Sequence, residues 1–333
     1  MKKLVIIGGG FAGAKIAKRL QNCFDVTLID TKNYFEFTPS IPRTLLKPEK
    51  RRKIEILHKS YLEKSHFIKG CVENIDKKFV YLKGGRRLIY DYLTICSGSR
   101  YNMPFKEQNV FLADRTRDLM EAYRKIQEAK KILIVGGGVV GVEIAAEIAT
   151  FCRNRDITII QASEKLMPRN NFKSINYAER FLKSHRVKIS YDERVVSYKN
   201  NLAVTNKKRR IRADMILLCT GITPNSDFLK KNFSEYLDDK GHIKVDNYLR
   251  FNNLKGVFAA GDVNDIKEEK TAQAAERQAG IVIANILRIE KNQPLLKYNP
   301  SRKPMVISLG KLNGIFEGKN FVMTGLIPAF MKW

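Results

Sequence analysis

Two stretches of this chain set three glycines where only bare backbone could meet a phosphate. Gly8-x-Gly10-x-x-Gly13 follows a strand-like run at residues 4–7 and opens a helix-like run at 14–20. Asp30 ends the next strand-like run, about 20 residues further on, which is the spacing of a dinucleotide fingerprint. In that pattern the first glycine allows a tight turn, the second admits a pyrophosphate, and the third lets helix and strand pack closely. The helix start would offer unpaired N–H groups and the positive end of its dipole to the phosphates. Asp30 would accept hydrogen bonds from a ribose 2′-hydroxyl. Gly136-x-Gly138-x-x-Gly141 repeats the arrangement after residues 132–135, with Gln161 where the acid would stand. A glutamine can bond a ribose hydroxyl without repelling a 2′-phosphate, so NADH or NADPH is the expected second nucleotide, with NADH favoured.

The remaining reactive side chains lack such spacing. Cys23, Cys71, Cys96, Cys152 and Cys219 form no C-x-x-C pair, so neither a zinc site nor a redox dithiol is expected. His58, His66, His185 and His242 are isolated, and no catalytic role is assigned to them. Hydride transfer between two dinucleotide cofactors requires no acid–base side chain, which suits a chain without a convincing catalytic constellation.

The elements that position these motifs read as strands alternating with helices, a pattern that specifies parallel, doubly wound α/β sheets. The strand, glycine turn, helix, strand unit occurs twice, and a strand-rich meander follows each copy, at 67–95 and 187–219. At 333 residues the chain is long enough for two cores. Its 44% hydrophobic content excludes a disordered chain, and no segment has the roughly 18 uncharged apolar residues of a membrane span. A start with neither apolar signal core nor cleavage site predicts a cytoplasmic protein. The net charge of +27 is compatible with attraction to anionic lipid, with attraction to nucleic acid, or with a host whose proteins are basic generally. Its densest runs, residues 50–53 and 207–210, are read as solvated surface at a helix start and a hairpin turn. A helix is expected over 271–289 with Thr271 as its N-cap.

Together the two fingerprints, the Cys96-Ser97-Gly98 turn, Gly141-Val142-Glu143, Thr220-Gly221 and Ala259-Ala260-Gly261-Asp262 resemble the FAD-dependent pyridine nucleotide-disulfide oxidoreductase superfamily across nearly the whole chain. The resemblance implies a tightly bound FAD held by Gly8, Gly10, Phe11, Ala12, Gly13, Asp30, Lys32, Thr38, Val72, Cys96, Ser97 and Gly98. Asp262 would hold the flavin ribitol, and Ala272 and Gln273 would touch the flavin ring. An exchangeable NADH or NADPH would lie against Gly136, Gly138, Val140, Gly141, Glu143, Gln161 and Gly221. Within the superfamily, residues 33–39 and 271–278 resemble type II NADH:quinone oxidoreductases, with Arg277 replacing the second glutamine of their quinone-site helix. Residues 145–148, 219–222, 284–286 and 308–311 resemble ferroptosis-suppressor and apoptosis-inducing-factor-like quinone reductases.

These resemblances imply hydride transfer from the nicotinamide to FAD and then to a quinone, without proton pumping. Glu143 is the candidate for relaying a proton, against a plain backbone-bonding role, and Gln273 and Gln278 are the candidates on the quinone-site helix. An FAD domain is expected from 1–106 and 240–295 and an NAD(P)H domain from 107–239, each with a small antiparallel insertion. A C-terminal segment, 296–333, would meet a membrane or a second copy. There six basic residues stand against Glu317, and Phe330 and Trp333 are candidates for insertion. The implied partners are a quinone and an anionic membrane surface on the cytoplasmic side. A homodimer stays open, and nucleic acid is disfavoured. Three other readings stay open: a sulfide:quinone oxidoreductase, a ferredoxin- or rubredoxin-type reductase, and a basic flavoprotein serving as a nucleic-acid or partner-binding module.

Overall fold

A computed structural model describes residues 1–101, 110–112, 119–152, 154–251, 254–301 and 304–332. The chain divides into two compact units. The first comprises Met1–Phe37, Lys53–Arg100 and Ile222–Arg302, and the second Thr38–Arg52, Tyr101–Gly221 and Lys303–Trp333.

The first unit is built on a parallel sheet in the order Val257–Ala259, Tyr92–Ile95, Lys3–Ile7, Asp25–Asp30, His66–Lys69. Its central strands are runs of apolar residues because both faces are covered. On one face, Leu4, Ile6, Val26 and Leu28 pack with Ile16 and Leu20 of the helix Phe11–Leu20 and with Ala279, Val282 and Ile286 of the helix Ala272–Glu290. On the other, Val5, Ile7, Leu93 and Ile95 share a core with Ile75, Val80 and Leu82. Those three come from an antiparallel insertion, Val72–Ile75, Phe79–Leu82 and Arg87–Ile89. Thr271 caps the long helix as expected, its hydroxyl accepting from the Ala274 N–H at 3.2 Å.

The second unit repeats the plan. Its parallel sheet runs Val110–Leu112, Met215–Leu218, Lys131–Val135, Asp156–Ile160, Lys188–Ser190, and its antiparallel insertion is Val195–Lys199, Leu202–Thr205, Arg210–Arg212. The basic run 207–210 lies in the hairpin turn 206–209 and the first residue of the last of these strands. The helix Val139–Phe151 is buried from Gly141 to Ile148, including Glu143 and Glu147.

The unit boundaries depart from the sequence expectation: the first unit's middle segment ends at Arg100 and its last runs to Arg302. Residues 222–239 join the first unit. Residues 38–52 join the second, where the short helix Ile41–Thr44 lies against the helix Val139–Phe151 and the Lys47 ammonium sits 4.9 Å from the Phe151 ring centroid. From residue 303 the tail is part of the second unit rather than a separate segment. It forms an antiparallel sheet, Met305–Leu309, Asn313–Glu317 and Val322–Gly325, that pairs in register and leads into the helix Leu326–Met331. The strands are short and their burial does not alternate, so no period betrayed them. Among the described residues no helix is long and apolar enough to cross a membrane.

Candidate functional site

The first fingerprint lies at the C-terminal edge of the first unit's sheet, the edge at which open α/β sheets bind ligands. Gly8 has φ +98°, and a side chain there would strike the Cys96 carbonyl; one at Gly13 would strike the Gly8 carbonyl. These two glycines are required by packing. Gly10 is different, because a Cβ there would meet nothing within 4 Å and its φ of −76° suits any residue. It caps the helix Phe11–Leu20 without any side-chain hydrogen bond, leaving the first-turn N–H groups open. A glycine that the protein's own packing does not need, at an uncapped helix start, is a cradle for a group from outside the chain. The residues present therefore fit a dinucleotide.

Asp30 stands beside this cradle at the end of its strand. The N–H groups of Gly9 and Lys32 donate to its carboxylate at 2.6 and 2.8 Å. His58 is fully buried, and its Nε2 is 3.7 Å from Asp30 Oδ2. Burial by itself would raise the Asp30 carboxyl, but the His58 ring and the two backbone donors outweigh it and hold the group below its ordinary range. Lys32 points away from the carboxylate, its ammonium donating to buried Glu36 at 2.8 Å. Phe11 makes edge contacts with Phe35 and Phe37, with centroids 5.0 and 5.7 Å apart.

Cys96, Ser97 and Gly98 leave the neighbouring strand at the same edge, and Cys96 N–H donates to the Ile7 carbonyl at 2.7 Å. The Cys96 thiol is enclosed in the core, where burial pushes it up to about 12. Ser97 and Gly98 are fastened to Asn225, a residue the sequence reading passed over. Its side chain donates to the Ser97 carbonyl at 2.9 Å and its N–H to the Gly98 carbonyl at 2.9 Å, while Ser97 Oγ donates to the Asn225 carbonyl at 2.7 Å. Asp262 follows the edge strand Val257–Ala259 and accepts from Ser99 Oγ at 2.8 Å. Burial raises its carboxyl, opposed by Ser99, Lys270 and His242.

The loop bearing Asp262 is held by Gln278. Its buried amide oxygen accepts from Gly261 N–H and Asn264 Nδ2, each at 2.7 Å, and its nitrogen donates to Glu268 at 2.7 Å. Arg277 is bound to Glu268 at 2.9 Å and to Ser301 Oγ at 2.6 Å. Gln273, by contrast, is exposed at the helix start beside Ala272. Val72 opens the first strand of the antiparallel insertion, and Thr38 lies in the second unit.

The second fingerprint reproduces the first with one exchange. Gly136 has φ +105° and backs onto the Cys219 carbonyl, and Gly141 abuts the Gly136 carbonyl. Gly138 caps the helix Val139–Phe151 with no side-chain bond and open space at its Cβ, and Val140 follows in the first turn. Gly137 N–H donates to Gln161 Oε1 at 2.8 Å, as Gly9 does to Asp30. The Gln161 amide nitrogen is already committed, donating to Ser163 Oγ at 2.6 Å and the Lys165 carbonyl at 3.0 Å. Gly221 follows Met215–Leu218 at the same edge of this sheet.

Glu143 and Glu147 lie one turn apart on this helix, both buried. Glu143 accepts from Ser308 N–H at 2.8 Å and pairs with Lys332 of the tail. Glu147 accepts from Ser308 Oγ at 3.2 Å, and Arg43 Nε lies 3.7 Å from it. The backbone bond left open for Glu143 is present, and so is a cation that the sequence did not disclose. Trp333 lies outside the described residues, whereas Phe330 is 68% exposed in company with Leu326, Ile327 and Met331.

Residues 2–279 match the family model of the pyridine nucleotide-disulphide oxidoreductases. Apoptosis-inducing factor homolog B of Dictyostelium discoideum is 32% identical, the match covering 95% of this chain and 89% of that protein. Human ferroptosis suppressor protein 1 is 31% identical, over 99% of this chain and 92% of that protein. In fold, the chain is similar to NDH2 of Plasmodium falciparum in complex with NADH, with a TM-score of 0.90 at 16% identity, covering 99% of this chain and 93% of that one. A sulfide:quinone oxidoreductase from Aquifex aeolicus gives 0.87 at 19% identity, covering 100% and 89%.

Proposed function

Because the chain belongs to the pyridine nucleotide-disulphide oxidoreductase family, we propose that this FAD- and NAD(P)H-dependent oxidoreductase oxidises NADH or NADPH and reduces a quinone. When bound, the two cofactors supply the redox chemistry, a hydride leaving the nicotinamide for the flavin and two electrons passing on to the acceptor. The chain's part is to bind and orient them. The observation that carries this reading is the doubled cradle with unlike partners. Gly10 with the ionised Asp30 suits a resident FAD, and Gly138 with the neutral Gln161 suits an exchangeable donor.

A quinone acceptor is supported by the likeness of residues 33–39 and 271–278 to type II NADH:quinone oxidoreductases and by the fold shared with a sulfide:quinone oxidoreductase. A sulfide substrate would call for reactive thiols, yet Cys96 is buried and burial also raises Cys152. Gln278, whose amide is spent inside the protein, becomes a residue that positions the Asp262 loop; Gln273 is left to face a ligand. Glu143 remains the candidate for holding the proton that the quinone takes up, with Ser308 and Lys332 fixing its carboxylate. The exposed face of the tail helix is a candidate for the membrane on the cytoplasmic side, where the quinone pool would be met.

Anaerobic stopped-flow tests the assignment. The oxidised protein should lose its flavin colour on mixing with NADH or NADPH and regain it on mixing with a short-chain quinone. Failure of both nicotinamides to bleach the flavin would overturn the donor assignment, and failure of quinone to restore colour would overturn the acceptor.

A further inference from the structure

His58 is a buried titratable group that the proposed reaction does not use. It sits in a 3-10 turn, His58–Ser60, and its ring is tilted against Phe67 with centroids 5.0 Å apart. The ring closes off the space behind Gly9, where any Cβ would collide with it. Its Nδ1 is 2.5 Å from the Tyr61 hydroxyl, and its Nε2, which has no hydrogen-bond partner among the described residues, faces Asp30 Oδ2 at 3.7 Å. The Tyr61 phenol is pushed up by burial and by the Asp30 charge, so it keeps its proton and can donate to Nδ1. A neutral imidazole that accepts at one nitrogen carries its hydrogen on the other. The ring is thereby set with an N–H towards the carboxylate.

We propose that Tyr61 and His58 are positioning residues for the first nucleotide, orienting Asp30 to accept the ribose hydroxyls of FAD. This inference rests on the assignment of FAD to the first fingerprint. The second copy supports it by contrast, since Gln161 carries no charge and is held by Ser163 and Lys165 instead. The other ionisable groups around Asp30 are otherwise disposed: Lys32 is paired with Glu36, and Lys69, opposite Asp30 on the adjacent strand, is exposed.

The test is the affinity of the protein for FAD, read from the fluorescence of released flavin from pH 7 down to about pH 3, through and below the ordinary carboxylate range. His58→Leu, His58→Gln and Tyr61→Phe are compared with the parent, and circular dichroism verifies the fold of each. An Asp30 carboxyl held low accepts hydroxyl protons above its titration range and loses that capacity as pH falls through it. His58→Leu should weaken FAD binding about tenfold at pH 7 and move the acid-side loss of flavin to higher pH. His58→Gln, which keeps an N–H donor, should recover most of the affinity, and Tyr61→Phe should fall between. The KM for NADH should stay within about twofold of the parent in all three. Equal weakening by the Leu and Gln variants with an unmoved pH profile would overturn the proposal, because a space-filling role has that signature. If His58→Leu does not fold, Tyr61→Phe decides, the proposal failing if that variant leaves both the FAD affinity and the pH profile at the parent's. Loss of nicotinamide binding instead of flavin would show that the fingerprint assignment, not the positioning role, is at fault.

Discussion

At the residue scale, the informative glycines are those that the protein does not need for itself. Gly10 and Gly138 have ordinary φ and free space at the Cβ, so a side chain there spares the fold and fills the cradle. Gly10→Val should yield folded protein without flavin. Gly138→Val should keep its yellow colour while the KM for NADH rises about tenfold, which corresponds to roughly 1.4 kcal/mol of lost binding. Spectra of the purified proteins and initial rates check the pair. Glu147 offers a different test. Burial raises its carboxyl, opposed by Arg43, Ser308 and Lys332 and reinforced by Glu143. A carboxyl that is higher folded than unfolded favours folding while protonated, and that contribution is lost as pH rises from the ordinary glutamate range through the folded value. Thermal unfolding of Glu147→Gln should therefore improve relative to the parent from pH 4.5 to 8; a difference constant with pH would refute this. The glycines, Asp30 and Gln161 could be read from sequence because their spacing is local. His58, 28 positions beyond Asp30, could not, since only the paired strands and the turn after them bring the ring back.

At the scale of elements, regular periodicity was legible and its absence was misread. The helix Ala272–Glu290 and the strands that flank the two fingerprints announce themselves through apolar runs and the Thr271 cap. The first tail strand and the short helix Ile41–Thr44 have no such signal, being held in place by contacts with the helix Val139–Phe151, distant in the chain, and the third tail strand by contacts with the helix Phe172–Ser184. Gly314 shows how tightly the tail helix is seated, since a Cβ there would lie 2.7 Å from the Ala329 nitrogen and 2.9 Å from the Pro328 carbonyl carbon. Backbone cannot swing aside, so Gly314→Val should cost about 1–3 kcal/mol, read as a lower urea midpoint. The outer face of the same helix is exposed at Leu326, Ile327, Phe330 and Met331. Phe330→Glu should reduce sedimentation with anionic vesicles several-fold and leave reduction of a water-soluble quinone unchanged; undiminished sedimentation would remove this face as the docking element.

At the scale of the whole molecule, each unit has its own sheet and core, and each fingerprint lies in a different unit. A ligand that binds only folded protein stabilises what it binds, by about 2.7 kcal/mol at a hundredfold excess over its Kd. Calorimetry of flavin-free protein should accordingly show added FAD raising one unfolding transition and added NADH raising another. A single transition that responds equally to both ligands would contradict separate sites. The doubled plan was visible in the sequence because the repeat is internal to the chain, whereas the exchange of segments 38–52 and 222–239 between units was not, since contacts distant in the chain decide it. The interruption of the first unit by the second has a bearing on synthesis. The strand Val257–Ala259 completes the first unit's sheet beside Tyr92–Ile95, yet more than 150 residues separate the two along the chain. At ribosomal speeds that gap lasts on the order of ten seconds or more. During it the nascent sheet waits with a bare edge while most of the second unit emerges, and the first unit's sheet closes only after that stretch has been made.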